Sequence, residues 1–187
     1  MPPFSIVFSL FGLILGLSVA AVLTGFARVL RMRPKVKMGW LSPLLGAFVI
    51  LDLISFWNGA WRAHDYIRPE YGFLFLALII TGTYYLAAST VFPQAGETVA
   101  DFDAHYFENR RWIMLAIGFC NLAVFGWQDA LAIHTLPLAW WFIVPEYYVL
   151  VIITAFARSR WLSIACLAAL IGIYVLLAAR TLVPPKF

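Results

Sequence analysis

The sequence predicts an all-α, polytopic membrane protein with six transmembrane helices, and three observations support this prediction. Of its 187 residues, 64% are hydrophobic and 12% are charged, whereas an ordinary soluble domain is roughly 45–50% apolar and about 25% charged. Six stretches of 19 to 24 residues hold only three charged residues between them, and about 20 apolar residues span a bilayer as a helix. Tryptophans mark several ends of these stretches, as expected for rings that prefer the headgroup layer. This composition excludes a soluble domain and a disordered chain.

The first three spans are defined by long apolar runs between loops that carry charge. Residues 4–27 contain no charged side chain, and residues 40–61 lie between two tryptophans and contain one acid, Asp52. Residues 71–92 again contain no charge. A cleaved signal peptide is the alternative for the first run, but no Lys or Arg precedes it and it is longer than a typical signal-peptide core. We therefore predict that all three runs are membrane spans.

The second half of the chain contains three further runs of similar length. Residues 112–132 begin at a tryptophan and have Asp129 near their end, residues 136–157 contain Glu146, and residues 161–179 are uncharged. Nothing of domain size lies outside the six runs. Residues 1–187 are therefore predicted to form a single transmembrane helix-bundle domain whose main partner is the lipid bilayer.

The orientation follows from the basic residues of the loops, which are enriched on the cytoplasmic side of a membrane. The loops on one side carry nine of them: Arg28, Arg31, Arg33, Lys35, Lys37, Arg110, Arg111, Arg158 and Arg160. The other side carries four: Arg62, Arg68, Arg180 and Lys186. This asymmetry predicts that both termini are periplasmic in a bacterial inner membrane. The net charge of +4 is then a topology signal, and no nucleic-acid partner is needed to explain it.

Small residues recur every four positions in the first span, at Gly12, Gly16, Ala20 and Thr24. Such a row lets helix backbones approach closely in lipid. It predicts a packing seam, either within the bundle or between the subunits of a homo-oligomer.

The loop between spans three and four is the only long one, and residues 98–111 have the pattern of a helix. Thr98 can cap this helix, with Asp101 at the capping-box position. Val99, Phe102 and Tyr106 form an apolar strip along it. The sequence therefore predicts a cytoplasmic amphipathic helix lying in the plane of the interface.

No metal, cofactor or catalytic residue is predicted. Asp101, His105 and Glu108 share one helix face, but no second cluster exists to complete a metal cage, so a solvated acidic face is the better interpretation. Cys120 and Cys166 lie within spans and are expected to be packing residues. Because the motifs of common hydrolases and metalloproteases are missing, we expect that the protein is not an enzyme.

The acids within the spans are the most informative residues. Asp52 and Glu146 lie inside spans that contain no Lys or Arg, and a mid-membrane Asp costs roughly 2.5 to 3.5 kcal/mol on insertion scales. Each acid must therefore be protonated, bonded to neutral partners, open to a water-filled cavity or paired with a bound cation. The candidate neutral partners are Ser55, Asn58, Tyr84, Tyr85, Asn121, Gln128, Tyr147 and Tyr148.

The two acids also occupy matching positions in the two halves of the chain. Asp52 follows Pro43 by nine residues and Glu146 follows Pro137 by nine, which places both acids near the midplane in helices of opposite direction. This arrangement would suit an inverted repeat, although proline at the first position of a helix is common in any case. Pro145 would free one backbone carbonyl beside Glu146, as in broken transporter helices.

Two further segments give the chain a family likeness. They are Leu86-Ala-Ala-Ser-Thr-Val-Phe-Pro93, at the end of span three, and Asp101-Phe-Asp-Ala-His-Tyr-Phe-Glu-Asn-Arg-Arg-Trp112, which leads into span four. With them, most of the chain resembles uncharacterised small six-helix inner-membrane proteins of proteobacteria. The resemblance implies a bacterial inner membrane and six helices. It gives no information about activity.

The preferred functional hypothesis is a small proton- or cation-linked transporter or channel. Its binding residues would be Asp52, Glu146, Asn121, Gln128, Asn58 and Tyr147. The alternative is a non-catalytic accessory or structural subunit of a larger membrane complex, in which helix neighbours satisfy the acids.

Overall fold

The computed structural model describes residues 3–32, 39–67, 70–94, 101–130 and 140–182. These residues form six α-helices and one short 3₁₀ turn at His64–Tyr66. The helices are α1 (Pro3–Met32), α2 (Leu41–Arg62), α3 (Tyr71–Thr90), α4 (Phe102–Ala130), α5 (Trp140–Phe156) and α6 (Arg160–Leu182). The prediction of an all-α fold is therefore confirmed.

Four of the described helices are long and apolar enough to cross a membrane. They are α1, from Val7 onward, α2, α3 and α6. Helix α5 has a shorter described apolar part, Ile143–Phe156, and α4 begins with three charged turns before its apolar part. These helices identify a membrane protein.

Four of the described helices form a ring, and the other two pack against one side of it. Helices α2, α4, α5 and α6 contact one another in that order around a closed ring, while α1 and α3 pack together and cover α2 and α4 on one side. Successive helices run in opposite directions, so the bundle has two ends. The Asp103 end contains the starts of α2, α4 and α6, and the Arg62 end contains their last turns together with the start of α5.

The amphipathic segment before span four is not a separate helix in the interface plane, contrary to the prediction. Residues 102–111 are the first turns of α4, while Thr98 and Val99 lie outside the described residues. Phe102 and Tyr106 are buried, and Ser42 Oγ donates a hydrogen bond to the Phe102 carbonyl oxygen at 2.9 Å. Burial raises the pKa of the Tyr106 hydroxyl. The apolar strip therefore packs against other helices of the bundle. It contacts protein, whereas the sequence predicted contact with lipid.

In the row of small residues in α1, Gly12 is half-buried and a Cβ there would lie 3.6 Å from the ring of Trp57, but the rest of the row does not pack within the bundle. Gly16 and Ala20 are exposed, and a Cβ added at Gly16 would meet nothing within 4 Å. The inward face of α1 instead contains Leu15 and Gly25, where a Cβ would lie 2.1 Å from Phe92 Cδ2. The close approach of α1 to its neighbours thus occurs at Gly25. A seam between subunits remains a prediction.

Candidate functional site

Asp52 is a fully buried acid in the middle of α2. Its exposed fraction is 0%, and at 1.5 Å per residue it lies about 17 Å from Leu41 and about 15 Å from Arg62 along the helix axis. It shares the inward face of α2 with Phe48 and Phe56, four residues before and after it. The spacing of four residues directs all three side chains into the bundle.

Four neutral groups from four other helices donate hydrogen bonds to the Asp52 carboxylate. The Tyr84 hydroxyl of α3 donates to Oδ2 at 2.6 Å, and the Tyr147 hydroxyl of α5 donates to Oδ1 at 3.0 Å. The Tyr174 hydroxyl of α6 also donates to Oδ1. Asn121 Nδ2, from α4, lies 3.1 Å from both carboxylate oxygens. The described contacts of Asp52 include no cation, so its described partners are neutral hydroxyl and amide dipoles.

The donors also contact one another, which fixes their positions. Asn121 Nδ2 lies 3.0 Å from the Tyr84 hydroxyl oxygen and 3.1 Å from the Tyr147 hydroxyl oxygen. The ring of Phe56 packs edge-on against Tyr84 with 5.0 Å between the centroids, and Tyr147 packs against Tyr174 in the same manner at 6.3 Å. Such hydrogen bonds polarise one another in a low-dielectric interior, so the members of the cluster strengthen one another's contacts.

A cavity of about 450 Å³ lies between the Asp52 cluster and the Arg62 end. Asn121, Tyr147 and Tyr174, three of the four donors to Asp52, belong to its wall. Arg62 and Thr181 line it at the end of the bundle, where both are exposed. The rest of the wall comes from α2, α4, α5 and α6: Leu51, Ile54, Ser55, Phe56, Asn58, Gly59, Val124, Phe125, Ile143, Val144, Tyr148, Ile173, Leu177 and Ala178. One layer of side chains therefore separates Asp52 from the cavity.

Polar contacts close the bundle at the Asp103 end. Asp103 Oδ1 accepts a hydrogen bond from the Leu41 backbone N–H at 3.1 Å and so caps α2 from another helix, while Oδ2 pairs with Arg160 Nε at 3.1 Å. The His105 ring Nε2 lies 3.1 Å from the Thr90 carbonyl oxygen at the end of α3. These contacts join the starts of α2, α4 and α6 and connect α3 to them.

The structure brings some of the predicted site residues together and separates others. Asn121 and Tyr147 contact Asp52, an arrangement that both functional hypotheses allow. Asn58 is exposed on the cavity wall, two turns of helix from Asp52. Glu146 is exposed and does not line the cavity. The side chain of Gln128 lies outside the described residues, as does that of Asp129.

The expectation that Asp52 and Glu146 share a polar interior is therefore corrected. Adjacent residues of a helix point about 100° apart, and in α5 it is Tyr147 that points inward, one residue after Glu146. Tyr147, Val151 and Thr154 form the buried face of this helix. The matching depth of the two acids consequently gives no support to an inverted repeat.

Tyr174 is the site residue that sequence reasoning missed, and Tyr84 was only one of eight candidate partners. The signal for Tyr174 was its spacing, because Leu167, Leu170 and Tyr174 follow the i, i+3, i+7 pattern of one helix face. A polar side chain that shares a helix face with core residues in an apolar span is therefore a candidate partner for a buried acid.

Within the described residues, no group of three or more His, Cys, Asp or Glu side chains could hold a metal ion. Cys120 is buried, and its thiol donates to the Ile80 carbonyl oxygen at 3.4 Å. What the cluster can do chemically is hold one negative charge, or one proton, in the middle of the bundle. No family model, curated protein or solved structure matches the chain.

Proposed function

We propose that the protein is a six-span protein of a bacterial inner membrane that transports protons or cations, with Asp52 as its titratable group. The observation that carries the proposal is a buried carboxylate, held by neutral donors only, directly behind the wall of a cavity. Ionisable groups within membrane spans are costly and usually mark ion or proton pathways.

The cluster has a partner for Asp52 in either protonation state. When Asp52 is ionised, the hydroxyls and the Asn121 amide donate to it. When it is protonated, its own O–H can donate to a tyrosine oxygen, since a hydroxyl both donates and accepts. A proton can reach Asp52 from the cavity through Tyr147 or Tyr174, because both residues line the cavity and their hydroxyls contact Asp52. Asn58 and Asn121 would help to keep the pathway hydrated.

Proton flux into liposomes tests this proposal. Purified protein is reconstituted with a pH-sensitive dye inside the vesicles, and an imposed pH gradient is followed with potassium and valinomycin to clamp the potential. We expect flux above that of empty vesicles in the parent protein and none in Asp52→Asn, which nearly keeps the side-chain shape but does not titrate. Glu108→Gln, the same change at an exposed residue of α4, should behave as the parent does.

The melting temperature of both variants separates lost function from lost folding. Equal flux in the parent and in Asp52→Asn, or no proton flux in a folded parent, would exclude proton transport through Asp52.

The proposed orientation has a separate test. Nine basic residues on one side against four on the other support the proposal that both termini are periplasmic. A C-terminal alkaline phosphatase fusion should be active in cells, and a C-terminal green fluorescent protein exported by the same route should be dark. The opposite pattern would reverse the orientation and with it the side on which the cavity lies.

A second candidate is an accessory or structural subunit of a larger membrane complex, and Glu146 favours it. This acid is exposed in a helix whose neighbouring side chains, Val149, Ile152 and Ile153, are exposed and apolar. A carboxylate facing lipid is costly, so a partner subunit that covers it would stabilise the protein. Under this hypothesis, the protein extracted in a mild detergent has a polypeptide mass, with the bound detergent subtracted, above 21.1 kDa, and Glu146→Leu lowers that mass while Val149→Leu does not. A monomer in both cases would exclude it.

A further inference from the structure

Aromatic rings form much of the wall of the cavity below the Asp52 cluster. Five of them, Phe56, Phe125, Tyr147, Tyr148 and Tyr174, come from four different helices. Most of the remaining wall is aliphatic. A volume of about 450 Å³ lies within the roughly 300–1,000 Å³ range of small-molecule sites, which combine apolar walls with a few convergent polar groups. The cavity therefore suits a compact molecule with an apolar body.

The inner end of the cavity attracts positive charge. Tyr147 and Tyr174 line the cavity and direct their hydroxyl protons toward Asp52, so neither hydroxyl oxygen offers its proton to a molecule in the cavity. The negative charge of Asp52 strengthens these oxygens as acceptors. The faces of aromatic rings attract cations as well, most strongly where water is excluded.

Arg62 is the opposing charge, and its distance limits its effect. It lies at the exposed rim, ten residues and about 15 Å along α2 from Asp52. Salt screens an exposed charge with a Debye length of about 8 Å, so the repulsion that Arg62 exerts on a cation falls toward the inner end of the cavity. Asp52, in the buried interior, is screened much less.

We propose that the cavity binds a monovalent organic cation with an apolar body, of the amine or quaternary-ammonium class, and that this cation competes with a proton for the negative charge of Asp52. The inference rests on the proposed function, since it names the substrate of the same site. Cation and proton would then be exchanged at one carboxylate. A cation bound against the aromatic wall is stabilised by ionised Asp52, and protonation of Asp52 releases it.

The other titratable groups near Asp52 do not account for such a competition. They are the hydroxyls of Tyr84, Tyr147, Tyr148 and Tyr174 and the thiol of Cys120, from α3, α4, α5 and α6. All are neutral below the ordinary range in which phenols and thiols ionise. Among the described residues of the cluster, Asp52 is thus the group whose charge changes on acidification.

Binding of benzyltrimethylammonium to the full-length protein in lipid nanodiscs tests the inference. Its charge is permanent, so any dependence of binding on pH comes from the protein. Equilibrium dialysis of labelled compound, with empty nanodiscs as the baseline, should show saturable binding that weakens on acidification. Asp52→Asn should bind at least tenfold more weakly and lose the dependence on pH. Benzylsulfonate, the anion of similar shape, should not bind.

Two substitutions of Tyr148, which packs edge-on against Tyr147 but does not itself donate to Asp52, test the aromatic wall. Tyr148 is partly buried and lines the cavity. Tyr148→Phe keeps the ring and should bind the cation within twofold of the parent, whereas Tyr148→Leu keeps an apolar side chain but should bind several-fold more weakly. Equal binding by the two variants would overturn the aromatic part of the proposal.

The outcomes separate this inference from the proposed function. Asp52-dependent proton flux without binding of benzyltrimethylammonium, or stronger binding of benzylsulfonate, would overturn the inference and leave proton transport standing. Saturable, Asp52-dependent binding of the cation in a protein that shows no flux would support the cation site and exclude transport. Cation binding that Asp52→Asn does not weaken would overturn the inference.

Discussion

The two ends of the bundle are built differently, although the same helices reach both. At the Asp103 end, Asp103 caps α2 and pairs with Arg160, and glycines allow close contacts, since a Cβ at Gly39 would lie 1.7 Å from Asp103 Oδ1. At the Arg62 end, α2, α4, α5 and α6 separate around a cavity of about 450 Å³. Among the described residues, the cavity approaches Asp52, midway between the ends, from the Arg62 end. For a transporter, this would be the conformation open to one side.

The largest expected difference between the ends is in access from water. Asn58→Cys, on the cavity wall, should react rapidly with a membrane-impermeant, cationic methanethiosulfonate reagent in nanodiscs, whereas Ser42→Cys, buried at the Asp103 end, should react slowly. The parent protein supplies the baseline, because Cys120 and Cys166 are both buried. Similar rates at the two positions would contradict the closure of the Asp103 end.

The largest loss of stability is expected at the Asp52 cluster between the two ends. Asp52→Ala leaves four donors without their acceptor, and each buried group left unsatisfied costs about 1–3 kcal/mol. Water from the cavity can reach the three donors in its wall, so we expect a total loss of about 3 kcal/mol in the free energy of unfolding. Asp52→Asn, which keeps one acceptor oxygen, should cost about half as much. Reversible unfolding in mixed micelles measures both, and equal losses would show that the acceptor role of Asp52 is unimportant.

The close packing of α1 near the Asp103 end gives the next effect. In Gly25→Ala the new methyl group would overlap the ring of Phe92, and overpacking typically costs about 1–3 kcal/mol. In Gly16→Ala, within the same helix, the methyl group meets nothing, and alanine is favoured over glycine in a helix by about 0.8–1 kcal/mol. The two variants should therefore shift the melting temperature in opposite directions. A loss of stability in Gly16→Ala, or of oligomeric mass, would instead show that the row of small residues packs between subunits.

The smallest effects concern the polar contacts of the Asp103 end. Asp103→Ala removes the cap of α2 and leaves the Leu41 N–H without its partner, which should cost about 1–2 kcal/mol. Arg160→Ala removes only an ion pair in which the Arg160 side chain is half exposed, and such pairs are worth at most about 1 kcal/mol. Asp103→Ala should therefore unfold at a lower temperature than Arg160→Ala. The reverse order would show that the ion pair, and not the cap of α2, contributes most to the stability of this end.

The site was only partly predictable from the sequence, for a reason that these residues make plain. Asp52, Asn121 and Tyr147 were predicted because polar side chains in apolar runs are few and must find partners. Glu146 met the same criterion but is exposed, one residue before Tyr147. In a soluble helix, the alternation of apolar and polar faces shows which residues point inward. In these spans nearly every face is apolar, so the rotation of each helix has no comparable signal in the sequence.

The sequence by itself determined where helices form and that Asp52 needs neutral hydrogen-bond donors. Long apolar runs can satisfy their backbone only as helices in lipid, and an acid without a cation in its span needs neutral donors. Only the tertiary structure decided which helix faces meet, and so which donors reach Asp52: Tyr84 and Tyr174 join the cluster, while Glu146 is left on the surface. It also decided that residues 102–111 continue α4 into the bundle. The physical reason is that an apolar side chain finds an equally apolar environment in lipid and in protein. Shape complementarity between helices therefore decides which faces pack together.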